Sequence, residues 1–149
     1  MIDNLSSYFR PEHKFYLHQI NYQKVENDQI TPINTDSIEL SCSDNLSVHV
    51  NQDNDTVNLF VTRTLSFNPD ILFHASVTYG AILRFNDKKS EIDFEKVDFS
   101  EEFLNNGQFV TANLMARITL LLGEITSSTG QTPLFLPPQI IVPNKNSRA

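Results

Sequence analysis

The chain has one cysteine, no tryptophan and four glycines in 149 residues. A lone Cys42 closes no intramolecular disulfide and builds no thiolate metal site, so a reducing compartment, the cytoplasm, is the expected location. The glycines, at 80, 107, 123 and 130, match neither a dinucleotide fingerprint nor a phosphate-cradling loop, and no cofactor is expected. Basic charge is scarce too. Eleven Lys plus Arg face 18 Asp plus Glu, a net charge of −7 with an isoelectric point near 4.9, which makes nucleic acid a poor partner. No run approaches the ~18 to 20 continuous apolar residues that cross a bilayer. Met1 to Arg10 has no basic segment leading into an apolar core, so neither an export signal nor membrane insertion is expected.

Phenylalanine is what the chain has in plenty: 11 residues, within a hydrophobic share of 40%, which is enough to fill one core in a chain of ordinary single-domain size. One domain is expected over 1–149, with 1–12 and 144–149 frayed. A Phe-rich, acidic chain without cofactor motifs points to binding more than to catalysis.

Hydrophobic alternation marks four antiparallel strands. Phe15, Leu17, Ile20, Tyr22 and Val25 alternate with one slip between Leu17 and Ile20, as a bulged strand does. Glu26 to Asp36 is loop chemistry carrying two isolated hydrophobes, Ile30 and Ile33. Ser37 to Val50 alternates, breaks at Ser43-Asp44-Asn45 and resumes, either as one kinked strand or as two short ones. After the Asn51 to Asp55 turn, Val57, Leu59, Val61, Leu65 and Phe67 form the second arm of a hairpin. Phe73, Ala75, Val77 and Tyr79 lead to Gly80, where a bend is expected.

The period then changes. Ser100 followed by Glu101 and Glu102 predicts an N-cap and a short helix over 101–106, ended by Gly107. Leu114, Ile118, Leu121 and Ile125, widened by Met115 and Leu122, predict a long helix from Phe109 to Thr126 with Gly130 as its left-handed cap. Thr132 to Pro138 is extended because its prolines cannot continue a helix.

Catalytic and metal signals are weak. His13, His18, His49 and His74 lack metal-ligand spacing, although the last three could meet across neighbouring strands. The acidic run Glu91 to Glu102 reads as a solvated face, and nothing near Cys42 would activate it as a nucleophile. No catalytic, metal or cofactor residue is assigned, and the chain is not expected to be an enzyme. Ile30, Ile33 and Phe135 stand outside the periodic segments. They either plug the core or line a groove for extended apolar polypeptide. The long helix is apolar around too much of its circumference for one stripe, which points to an oligomer interface at Leu114, Met115, Ile118, Leu121 and Leu122.

The stretch Phe103 to Pro138 resembles the SecB family of protein-export chaperones. The likeness lies in a long helix with a central arginine, Ala116-Arg117-Ile118, a Thr126-Ser127-Ser128-Thr129-Gly130 ending, and Pro133-Leu134-Phe135-Leu136-Pro137-Pro138 beyond it. Upstream, Val77 to Leu83 is similar to the family's fourth strand. The resemblance implies an α+β fold: a four-stranded antiparallel sheet, a crossover loop between strands one and two, and then the long helix, assembled as a tetramer that is a dimer of dimers. It also implies an ATP-independent holdase for unfolded polypeptides or preproteins, of a family that passes clients to the translocase motor SecA. In two respects the chain departs from the family. Ser76 and Thr78 present hydroxyls where members that dock on SecA commonly carry carboxylates, so weak or no SecA binding is expected. The family's further C-terminal lid helix also has no counterpart before Ala149. Alternatives are a SecB-like chaperone dedicated to one client such as an antitoxin, a non-chaperone oligomeric adaptor, and a hotdog-type thioesterase, whose helix usually precedes most strands.

Overall fold

The computed structural model describes residues 2–26, 38–130 and 132–141. Four strands, β1 (Lys14–Lys24), β2 (Glu39–Asn51), β3 (Thr56–Asn68) and β4 (Phe73–Arg84), form one antiparallel sheet in the order β1-β4-β3-β2. Because β1 pairs with β4, the chain between β1 and β2 must pass from one edge of the sheet to the other. The loop carrying Ile30 and Ile33 lies outside the described residues. Two helices follow, α1 (Phe99–Asn106) and α2 (Gln108–Ser128), giving an α+β fold.

Period-two alternation selects the buried face. Val57, Leu59, Val61 and Leu65 of β3 and Phe73, Ala75, Val77, Ala81 and Leu83 of β4 point to one side. The slip in β1 is a bulge between Leu17 and Gln19, which returns Ile20 and Tyr22 to that side. β2 is a single strand in unbroken register with β3 from Glu39 to Asn51.

α2 covers β4 and part of β3, burying Val110, Leu114, Met115, Ile118 and Leu122 against them. By length and composition it is apolar enough to cross a membrane although it holds no continuous apolar run of that length. That apolar content is what filling the core over the sheet requires. Gly130, at φ +84°, follows the helix as its left-handed residue. α1 begins two residues earlier than expected. Its cap is Asp98, whose carboxylate accepts from the Glu101 amide at 3.3 Å, and Ser100 lies inside the helix.

The N-terminal segment expected to fray is packed instead. A 3₁₀ turn at Leu5–Tyr8 places Leu5 and Phe9 in the core, Phe9 stacks on Phe85 at 4.8 Å between ring centroids, and the Ile2 amide donates to the Glu102 carboxylate. Two large apolar side chains, each worth about 1.5–3 kcal/mol when buried, offset part of the backbone freedom lost, and hydrogen bonds from the Asn86 amide to Tyr8 and from the Arg10 amide to Arg84 add to them. Residues 144–149 lie outside the described residues.

Candidate functional site

A buried ion pair organises the helix side of the sheet. Asp44 on β2 stands opposite Arg63 on β3, both on the core face, and both side chains are closed to solvent. Arg63 Nε and Nη2 donate to the two carboxylate oxygens of Asp44 at 2.8 and 2.9 Å, a bidentate fork. The remaining guanidinium donors reach the segment beyond α2: Nη1 donates to the Pro137 carbonyl and Nη2 to the Gln139 carbonyl, each at 2.9 Å. The Ile141 amide donates back to Asp44 at 2.8 Å. Burial disfavours a charge, but here each guanidinium nitrogen and both carboxylate oxygens are hydrogen-bonded. The hydrogen bond to Asp44 holds the Arg63 pKa above its ordinary value, against the opposing effect of burial. Neighbouring Cys42 is pushed up mainly by burial, so its thiol is protonated at neutral pH.

The pair clasps residues 132–141 as an extended strap over the sheet. The Leu134 amide donates to the Thr126 hydroxyl at the end of α2, and Leu134, Leu136 and Ile140 turn inward onto the core. Phe135 turns outward and is 61% exposed. The inner face of its ring lies on Gly123, where a Cβ would come within 2.1 Å of it, so the glycine makes room for the ring. Between the strap and the helices runs a cleft of about 460 Å³ lined by Leu104, Gln108, Thr111, Ala112, Met115, Pro138, Gln139 and Ile140. Leu104 at the cleft and Ile141 next to its lining are exposed, and Phe135 is exposed further along α2 at Gly123, so this side offers interrupted apolar surface beside a segment outside regular secondary structure. Of the three residues expected to line a groove, Phe135 is therefore at an open apolar surface, while Ile30 and Ile33 lie outside the described residues.

The expected interface on α2 needs correction. Leu114, Met115, Ile118 and Leu122 are buried within the chain itself, because they supply the helix's packing onto β3 and β4. Leu121 is half-buried, and the sequence reading passed over Leu120, which is 65% exposed. His13 meets Phe109, and Phe15 lies beneath the Arg117 guanidinium at 5.1 Å, so α2 and β1 run in the same direction. Leu17 and Ile20, each 45% exposed on the core face of β1, therefore follow along the side of α2 where Leu120 emerges. An exposed leucine between Ala116 and Glu124 on the outer stripe was the available signal.

The far face of the sheet has no covering element among the described residues. Ser76 and Thr78 lie there, and Thr78 is buried with its hydroxyl 2.6 Å from that of Thr62. His18 and His49 both contact Phe60, while His74 pairs with Asp70. Among the described residues no group of three metal-ligating side chains forms, so the suggested histidine site does not assemble there.

No protein-family model matches the chain, and no curated protein matches it. Among solved structures it is similar to a SecB-like chaperone of Mycobacterium tuberculosis in complex with a ChAD peptide from an antitoxin, at 11% identity and a TM-score of 0.66 over 93% of each chain. It also matches a protein of unknown function from Streptococcus agalactiae, at 13% identity and a TM-score of 0.37 over 87% of this chain and 98% of that one, too loose a superposition to argue from. The chain has the SecB-like fold that the sequence resemblance implied.

Proposed function

We propose that the protein is an ATP-independent holdase that binds extended, non-native polypeptide. The observation that carries this reading is the strap: the fold already lays an apolar, proline-bounded segment over its sheet, with Phe135 outward on Gly123 and a cleft between strap and helices nearer the start of α2. Each apolar contact is worth about 1.5–3 kcal/mol, and several copies of the surface on one oligomer would multiply them through effective concentration. The net charge of −7 favours basic unfolded segments and opposes self-association of the exposed apolar groups. The similar mycobacterial chaperone, solved with an antitoxin peptide, supports a polypeptide client and makes a dedicated client such as an antitoxin the favoured version over general preprotein export.

The proposed assembly is a cytoplasmic homotetramer, a dimer of dimers. Leu17, Ile20, Leu120 and Leu121 take the place of the four buried leucine, methionine and isoleucine positions as its contact surface. Docking on SecA is weak or absent in this account, since Ser76 and Thr78 offer hydroxyls, and that of Thr78 is engaged by Thr62. The test is light scattering of a chemically unfolded polypeptide diluted into buffer. A holdase delays the rise in scattering at near-stoichiometric protein without nucleotide; an adaptor of the same fold leaves the time course unchanged.

A further inference from the structure

We propose that the open face of the sheet carries a second binding site, specific for acidic polypeptide segments, at the corner where β1 begins. In a chain of net charge −7, Arg10, Lys14 and Arg84 line one cleft of about 460 Å³, together with Glu12, His13 and Ile82. The ion pairs among the described residues use Arg63, His74, Lys89 and Lys96, so these three fixed cations are not among them. Backbone pairing holds them together. Lys14 stands opposite Ile82, Arg84 lies two residues along on the same face, and the Arg10 amide donates to the Arg84 carbonyl at 2.8 Å.

Aromatic rings continue the site across the sheet. Tyr16 stands opposite Gly80, and its ring occupies the space a Gly80 side chain would fill, with a Cβ there only 2.5 Å from Tyr16 Cζ. The Tyr16 ring thereby reaches Phe60 on β3 at 6.2 Å, and the His18 and His49 rings flank Phe60 at 4.8 and 6.0 Å. A cationic corner continued by rings suits a segment that carries both carboxylates and apolar or aromatic side chains. The carboxylates near this corner are Glu12, at the cleft, and Asp55, which is paired with Lys89. A long polyphosphate would meet three local cations and the repulsion of the remaining negative surface, whereas a few carboxylates need only the cleft. The strap and its cleft lie on the opposite face of the sheet, so the site does not depend on the holdase reading, and both surfaces could be filled together.

The test is fluorescence anisotropy on the full chain with three labelled probes. One is a twelve-residue peptide in which glutamate alternates with phenylalanine and serine, one is the same peptide with lysine for glutamate, and one is a twelve-nucleotide oligothymidylate. Saturable binding of the glutamate peptide is expected, weakened about tenfold between ~0.05 and ~0.3 M salt. Arg10→Glu with Arg84→Glu should weaken it by about tenfold or more, and Phe60→Ser should weaken it at either salt. Delay of client aggregation should be the same in these variants as in the unmodified protein, which separates this site from the strap. Arg10 and Arg84 are exposed, and a thermal melt checks the fold; Lys14→Gln serves if the charge reversals do not fold. Equal or tighter binding of the lysine peptide, tighter binding of the oligothymidylate, or indifference to these substitutions would overturn the proposal.

Discussion

Replacing Asp44 with alanine leaves the Arg63 guanidinium fully buried with its two hydrogen bonds to the carboxylate gone, and also removes the acceptor of the Ile141 amide in the strap. Removing one partner of a buried pair costs about 3–5 kcal/mol, because the surviving charge stays desolvated. A chain of this size loses about 2–4 °C of Tm per kcal/mol, so the expected drop is roughly 6–20 °C by calorimetry or circular dichroism. Arg63→Met with Asp44→Leu removes both charges and should recover most of that loss. The double variant still lacks donors for the Pro137 and Gln139 carbonyls, so its strap should be cut much faster in limited proteolysis than that of the unmodified protein. The pair would thus act as a fastener more than as a source of net stability. A drop in Tm under about 2 °C for Asp44→Ala, or equal proteolysis of the strap in the double variant, would refute this reasoning.

Leu120→Asp should lower the mass of the assembly in sedimentation while shifting Tm by only a few degrees, whereas Leu114→Asp should unfold the chain, since Leu114 is fully buried. Phe135→Ala should weaken capture of unfolded polypeptide with Tm within a few degrees, because most of that ring is exposed. Gly123→Leu should displace the same ring from its seat and give the same loss of capture. Cys42 should react with iodoacetamide far more slowly at pH 8 than a free thiol, since burial raises its pKa from 9.0, and Asp44→Ala should speed the reaction as the strap loosens. A raised folded pKa means that its contribution to stability is complete below the unfolded value and is lost as pH climbs through the folded one. The Cys42→Ser variant should accordingly lose less stability than the unmodified protein on going to strongly alkaline pH.

Strands and long helix were legible because period two and period 3.6 are set by the same burial that forms them, as Val57 to Leu65 and Leu114 to Leu122 show. Two apparent irregularities proved to be one feature. The break at Ser43-Asp44-Asn45 in β2 and the gap between Val61 and Leu65 in β3 are the paired positions of Asp44 and Arg63, core positions filled by charge. A single sequence shows each charged residue as an interruption, and only the register places them opposite each other. The misassigned interface has a similar cause. Helix periodicity says that Leu114, Met115, Ile118 and Leu122 are buried but not by what, and the sheet of the same chain supplies enough surface to bury them. Leu120 was passed over because it lies off that stripe; alone it says little, and it becomes informative only as part of an exposed patch with Leu17 and Ile20, which the fold brings beside it. The packed N-terminus was missed for want of periodicity: Phe9 is held by Phe85 and the Ile2 amide by Glu102, both from far along the chain.

Whether the strap side of the sheet holds unfolded polypeptide can be read from size-exclusion chromatography with light scattering. The protein would be mixed with a reduced, permanently unfolded polypeptide that carries no acidic clusters, and run alongside Phe135→Ala. A co-eluting complex is expected whose mass equals one oligomer plus client, formed without nucleotide and strongly reduced in Phe135→Ala although the variant's own oligomer mass is unchanged. Separate elution of the unmodified protein and the unfolded polypeptide at micromolar concentrations, or complexes equally abundant with Phe135→Ala, would contradict it.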